Sequence, residues 1–196
     1  INALPLGAGT GNLATFIEEF PPAQGEFPPT FSIYRATPGY FEAMSIPVVE
    51  GRSLTRDDHN ARLGSVVINS SLKQRFWPST SALGKKMSVA GISAQVVGVV
   101  ADVHAAGLDD EAPQVLYLPM LDVTGAPPLM AVGAMTITVR TSVEPLRVVP
   151  AMRGAIAELD ADLPIANVRS MQDVVGTSLS RSSFMMTLLV IAALIA

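Results

Sequence analysis

Cysteine is absent from this 196-residue chain. That absence excludes disulfides, thiolate metal centres and cysteine nucleophiles together, while leaving the cellular compartment open. Lysine is scarce, with Lys73, Lys85 and Lys86 the only three. With 13 basic against 17 acidic residues and a net charge of −4, the chain lacks the clustered positive surface that a phosphate-backbone binder needs. No nucleic-acid partner is expected. Charge of either sign is sparse, 15% of residues, against roughly 25% in an ordinary soluble domain. What fills its place is apolar: 49% of the residues are hydrophobic, which excludes a disordered polar chain. The length suits one ordinary domain or two small ones.

Much of the excess hydrophobicity lies at the C-terminal end. From Phe184 to Ala196 only Thr187 is polar and no residue is charged. As a helix this run covers about 20 Å, short of the roughly 30 Å hydrocarbon core of a bilayer. A buried core helix is one reading. The truncated start of a transmembrane helix is the other, and Arg181 favours it by standing where a charged side chain snorkels to the interface. Ser170-Met171-Gln172-Asp173 has the spacing of a capping box, so one helix could run from there into lipid. Ile1–Leu6 has no basic region and is interrupted by Pro5, unlike a secretory signal. It reads as a strand entered midway, and the chain is expected to be a piece of a larger membrane protein.

Between the ends, Gly7, Gly9, Gly11 and two proline pairs mark residues 7–30 as loop-like. Phe31–Ala36 reads as a strand. Thr37-Pro38 reads as a helix start with Thr37 as N-cap, followed by a short helix over Gly39–Met44, a strand at Val48–Glu50 and a polar loop over 51–64. Ser65–Asn69 reads as a strand, and Ser70 as the N-cap of a helix reaching Trp77, with Pro78 ending it. Lys86–Val89 and Gln95–Asp102 are strand-like runs about a turn at Ala90-Gly91. Gln114–Pro119 is another strand, and 121–133 a connection. Met135–Thr141 alternates with the strand period. Val148, Met152, Ala155, Ile156 and Leu159 share one helical face, and Pro150 demands that this helix start late or kink. Leu163–Arg169 holds a further strand. Strand, helix and strand within about 35 residues form a βαβ-sized unit. The expected fold class is α+β with mixed sheets.

Several short motifs touch known chemistry, and each has a plainer explanation. Gly9-Thr10-Gly11-Asn12-Leu13-Ala14 fits a dinucleotide pattern, but Pro5 damages the strand before it and no carboxylate follows about 20 residues on. Ser70-Ser71-Leu72-Lys73 has the spacing of penicillin-recognising serine enzymes without their companion triplets. Gly84-Lys85-Lys86 is no phosphate loop, because Ser79 stands where the first glycine belongs and Lys86 where Ser or Thr belongs. Asp102, His104, Asp109, Asp110 and Glu111 form an acidic cluster with one histidine, read as a solvated loop; the other histidine, His59, lies in a polar stretch. Asn69-Ser70-Ser71 is a formal glycosylation sequon at a strand-to-helix junction. Phe76-Trp77-Pro78 reads as a packing anchor. No catalytic, cofactor-binding or metal-ligating residue is assigned.

Taken in order, a longer set of segments carries a resemblance. Pro38-Gly39-Tyr40-Phe41-Glu42-Ala43-Met44, Val49-Glu50-Gly51-Arg52, Val66-Val67-Ile68-Asn69, Arg75-Phe76-Trp77-Pro78, Leu83-Gly84-Lys85-Lys86, Val96–Val103, Val115–Pro119 and Leu159–Pro164 together resemble the extracytoplasmic core domain of MacB/FtsX-type ABC transporter permeases. The likeness covers roughly residues 31–196. It implies a porter-like α/β subdomain over 1–56 and 130–175, an inserted β-rich sabre-like subdomain over 57–129, and a connecting helix over 176–196 that opens a truncated transmembrane helix. It also implies a first strand and helix upstream of Ile1.

The function so implied is non-enzymatic, with no cofactor. A cytoplasmic ABC ATPase, fused or separate, supplies the energy, and the domain transmits motion across a bacterial cytoplasmic membrane while itself lying on the periplasmic side. The implied partners are that ATPase, a second permease copy, a periplasmic adaptor, and lipid along 184–196. A ligand-sensing or solute-binding extracytoplasmic domain is the alternative, and a free-standing enzyme a more distant one.

Overall fold

The computed structural model describes residues 11–60, 64–103, 112–120 and 135–176. In chain order the elements are β1 (Asn12–Ile17), β2 (Thr30–Ala36), α1 (Tyr40–Ala43), β3 (Val48–Gly51), α2 (Arg56–Asn60), β4 (Ser65–Asn69), α3 (Ser70–Phe76), β5 (Lys86–Val89), β6 (Ile92–Val100), β7 (Val115–Pro119) and α4 (Val149–Leu159). They belong to two compact units, one reaching residue 138 and the other running from 139 onward. The α+β class holds.

The seven strands among the described residues lie in the first unit, in the order β3-β6-β4-β7-β2-β1-β5 with a further pairing of β5 to β6. That last pairing closes six strands into a ring. β6 is long enough to serve two neighbours on one side: Ile92–Gln95 pairs with β5, and Gly98–Val100 pairs with β3, which hangs outside the ring. β2 runs parallel to β7, and β4 parallel to β6; the other pairs are antiparallel. Closure matters because an open sheet edge presents a row of unpaired N–H and C=O groups.

The strand period sorts side chains to two cores. Ile17, Phe31, Ile33, Val66, Ile68, Met87, Val89, Ala94, Val96, Val99, Leu116 and Leu118 come from all six ring strands and fill its interior, joined by Leu72 of α3 and by Trp77. On the opposite face, Tyr34, Ala36, Val67, Val115 and Tyr117 pack under Tyr40 and Phe41 of α1 and under Ile46 and Leu54. β4 and β7 are therefore buried on both faces, which is why SVVIN and VLYLP read as near-continuous apolar runs. Each large side chain so buried contributes about 1.5–3 kcal/mol. The Tyr40 hydroxyl is buried without a hydrogen-bond partner, and burial pushes its pKa upward.

β3 crosses β6 so closely that two glycines are obligatory. A Cβ on Gly98 would stand 2.0 Å from the Arg52 carbonyl oxygen, and one on Gly51 2.3 Å from that of Val97. Ala90 and Gly91 both have positive φ, 49° and 83°, as a tight turn between β5 and β6 requires.

Several local expectations change. β1 stands inside the stretch expected to be loop, because flanking breakers hide a six-residue strand whose Thr15 and Ile17 turn inward. A helical turn, α2, occupies part of the expected 51–64 loop. Thr37 does not cap α1: Gly39, at φ 82°, holds that position with no side-chain bond, since Pro38-Gly39 forms a turn first. Asn69, not Ser70, caps α3, its side chain accepting from the Leu72 N–H. Strands from both sides of residues 56/57 share the one sheet, β1–β3 before and β4–β7 after.

In the second unit, α4 follows a 3-10 turn at Pro145–Val148, so Pro150 lies at the helix start and the late-start alternative is realised. Neither α4 nor that turn contains a buried residue, and Leu159 is 85% exposed. The expected strands at 135–141 and 163–169 join no ladder among the described residues, and the expected βαβ unit does not form there. Alternation decides which face a side chain points to, but a strand exists only where a neighbour supplies hydrogen bonds. At 171–176 a helix begins as its capping box predicts: Asp173 N–H donates to Ser170 Oγ at 3.2 Å, and Ser170 Oγ to Asp173 Oδ2 at 2.7 Å. Among the described residues no helix is long and apolar enough to cross a membrane; the run 184–196 lies outside them.

Candidate functional site

Burying an amide or a carboxylate costs several kcal/mol unless its hydrogen bonds are replaced. Asn69 and Asp58 are the most polar side chains buried here, at 1% and 5% exposure, so their partners define what the interior was built to hold.

Asn69 ends β4. Its Oδ1 accepts from the N–H groups of Val115 at 2.9 Å and Leu72 at 3.3 Å, while Nδ2 donates to Asp102 Oδ1 at 2.5 Å and the Pro113 carbonyl at 2.8 Å. All four bonding positions of the amide are used. Asp102 Oδ1 also accepts from the Ser71 N–H at 2.9 Å, and Ser70 Oγ donates to the Val100 carbonyl at 3.1 Å. The ends of β4 and β6, the start of β7 and the first turn of α3 are thereby fastened at one point.

Asp58 does the same near the start of β4. It accepts a fork from Arg52, Nη1 at 2.6 Å and Nη2 at 2.9 Å, together with the Thr55 N–H at 2.8 Å and Thr55 Oγ1 at 2.9 Å. Ser65 Oγ donates to its other face. The Arg52 guanidinium, aided by Ser65 and Thr55, holds the Asp58 carboxyl well below the usual carboxylate range although burial opposes it. This clamp ties the segment leaving β3 to β4. A third, exposed clasp joins Glu19 to Lys85 Nζ at 2.5 Å and Trp77 Nε1 at 2.8 Å, with Phe20 against Phe76 and Trp77 at ring separations of 5.4 and 6.0 Å. Lys85 first, then Trp77, lowers the Glu19 pKa.

The motifs noted in the sequence fall into place around these clamps. Asn12–Ala14 of the glycine pattern enter a strand rather than a helix; Gly9 and Thr10 lie outside the described residues. Ser70 and Lys73 do not act together: Ser70 bonds to Val100, and Lys73 Nζ lies 3.6 Å from Glu50. Lys85 serves the Glu19 clasp and Lys86 opens β5. Of the acidic cluster only Asp102 is described, and among the described residues no group of three metal-ligating side chains occurs. The sequon asparagine is the buried Asn69. Phe76-Trp77 packs as anticipated, Trp77 in the ring core. Asp58 was not singled out from sequence, although Thr55-x-x-Asp58 following Arg52 has the spacing of a side-chain-capped turn. With their oxygens and nitrogens consumed by one another, these groups hold strands together.

Among the residues carrying the resemblance, Asn69, Phe76-Trp77, Gly98 and Asp102 lie at these fastenings of the ring, and Gly51-Arg52 lie where β3 meets β6. The model of the MacB-like periplasmic core domain matches residues 10–159, and the chain belongs to that family of permease domains. An uncharacterized ABC transporter permease, YvrN of Bacillus subtilis (strain 168), is 32% identical over 90 residues, covering 44% of this chain and 22% of that protein. The chain thus spans about a fifth of that relative. The periplasmic region of MacB from Actinobacillus actinomycetemcomitans shares the fold, with a TM-score of 0.54 at 19% identity over 76% of this chain and 63% of that one.

Proposed function

We propose that the chain is a non-catalytic extracytoplasmic domain through which an ABC transporter permease couples cytoplasmic ATP hydrolysis to conformational change on the far side of a bacterial cytoplasmic membrane. The observation that carries this reading is the closed ring, locked by the Asn69 and Asp58 clamps. A body that passes on motion must move as a unit, and buried polar networks that are fully satisfied favour rigidity. The capped helix start at Ser170 offers a junction toward the apolar run at 184–196, which this reading assigns to lipid. A cytoplasmic ABC ATPase, a second permease copy and a periplasmic adaptor complete the assembly. The porter-like division over 1–56 and 130–175, with the sabre-like insert over 57–129, belongs to the same proposal.

The test acts on the junction. In the whole transporter, glycine in place of Thr177 and Ser178 has about 1 kcal/mol less helix preference per site than alanine at the same positions. Transport is expected to fall in the glycine variant, with expression and basal ATP hydrolysis retained, and to persist in the alanine variant. Equal transport by both at equal expression refutes rigid coupling. Saturable binding of a small solute to the domain, with transport unaffected by the glycines, would instead favour a sensing role.

A further inference from the structure

The connection from β1 to β2 contains one tetrapeptide twice. Glu19-Phe20-Pro21-Pro22 returns seven residues later as Glu26-Phe27-Pro28-Pro29. The two stand in opposite circumstances. The first is clasped: Glu19 accepts from Lys85 and Trp77, and Phe20 lies against Phe76 and Trp77. The second is displayed. Phe27 is 95% exposed, Glu26 has no ion pair among the described residues, and its N–H closes a turn on the Ala23 carbonyl at 2.9 Å. A clasp that takes the carboxylate and ring of one tetrapeptide is chemically complementary to the other, so reach decides whether both can use it.

The hairpin register supplies that reach. Ala14 pairs with Thr30, and the Thr15 N–H donates to the Pro29 carbonyl at 2.9 Å. Two steps further along the same register, Ile17 faces Phe27. That place is now taken by Phe20, which bridges Ile17 and donates its N–H to the Ile17 carbonyl at 3.0 Å. Strand alternation puts position 27 on the face of Phe31, and Phe31 is buried with its ring 5.9 Å from that of Phe76. Register thus aims Phe27 at the rings that Phe20 covers. Pro28 is compatible with the longer ladder, because its nitrogen faces away from β1 and its missing N–H removes no bond to that strand. We propose that the clasp of Lys85, Trp77 and Phe76 is a site for the Glu-Phe-Pro-Pro sequence and that the two tetrapeptides exchange in it. While one is bound, the other is presented to solvent as an acidic, aromatic, proline-backed peptide. The ion pair, indole bond and ring contacts released by one are regained by the other, so the two states differ little in free energy, the condition for a bistable segment. β1 and β2 keep their register in both states, and the ring stays closed. The exchange needs neither an ATPase nor a partner, so its test is separate from that of coupling.

Trp77 is the one tryptophan of the chain, so its indole N–H gives a single nuclear magnetic resonance signal from the centre of the clasp. The full 196-residue chain in detergent micelles is compared with three variants: Glu19→Ala with Phe20→Ala, Glu26→Ala with Phe27→Ala, and all four changes together. In the first variant Glu26 and Phe27 are expected to take over. Its indole N–H should exchange with solvent within about threefold of the parent rate, and the Phe27 ring should show a nuclear Overhauser contact to the Trp77 indole, stronger than in the parent. The second variant, which keeps Glu19 and Phe20, should stay within the same threefold range. The fourfold variant should exchange at least about tenfold faster than either. Urea midpoints give a second readout: losing Glu19 and Phe20 should lower the midpoint further once Glu26 and Phe27 are already gone. The proposal is overturned if the first variant exchanges as fast as the fourfold one, or if Phe27 makes no contact with Trp77 in it. Equal midpoint losses from Glu19→Ala with Phe20→Ala in both backgrounds overturn it as well.

Discussion

The ring of residues 12–119 and the segment from 139 to 176 draw on much the same amino acids and treat them oppositely. In the ring, valine, isoleucine and leucine alternate across a sheet whose inner face is filled throughout and whose outer face is also covered along β4 and β7. In the later unit Val139, Leu146, Leu159, Leu163 and Val168 are of the same kind, yet each is 40% exposed or more. The difference is one of partners. A ladder and a covering layer turn periodicity into burial; without them the same pattern is only a disposition to pair. Marginal stability, at about 5–15 kcal/mol for a domain, is accordingly concentrated in the ring.

Hydrogen exchange should break or confirm that contrast most sharply. Amides of β4 and β6 should open only with global unfolding, whereas those of α4 should exchange at least about a hundredfold faster through local opening. Comparable protection in the two regions would dissolve the distinction. Next in size is Gly98→Ala, which forces a Cβ into the Arg52 carbonyl and should cost about 3 kcal/mol, measured as a fall in the urea midpoint. Asp58→Ala should follow at about 3 kcal/mol or somewhat less, because it strands Arg52 and removes the acceptor for Thr55 and Ser65.

The pH dependence of the Asp58 clamp follows from its sign. The folded carboxyl titrates below the unfolded one, so the stabilisation is complete above the unfolded value of about 4 and is lost as pH falls toward the folded value. Acid titration of Asp58→Asn should therefore show a shallower loss of stability below about pH 4 than the parent chain. The smallest effect belongs to the other region: Gly154→Ala in α4 meets open space and should favour the helix by up to about 1 kcal/mol, seen as slower exchange in α4 with the urea midpoint of the ring unchanged.

How far such features were legible in the sequence depended on whether the signal was local. SVVIN announced a strand buried on both faces, Phe76-Trp77 an anchor, and Ser170-x-x-Asp173 a helix start, because each is decided within a few residues. β1 was hidden by the glycines and prolines around it. Ser70 looked like the cap of α3, but the strand's last residue, Asn69, won because its amide also reaches Asp102, Pro113 and Val115. Ring closure through β5 and β6, the approach of Gly98 to Arg52, and the fork from Arg52 to Asp58 are tertiary facts that no short window contains. For the same reason the resemblance identified the family while the purpose of its residues emerged only in three dimensions.

The pairing of β2 with β7 sets an order of events. Ser32 finds Val115 and Tyr34 finds Tyr117, partners that leave the ribosome long after β2 itself. β1 and β2 can meet early, as can β5 and β6 about their two-residue turn, but neither hairpin closes the ring. Until Val115–Pro119 arrives to lie between β2 and β4, both strands offer bare edges to whatever is near. Long-range parallel pairing of this kind is slow and exposed to misassociation. The strand that completes the body is therefore also the one whose late arrival defines its most vulnerable interval.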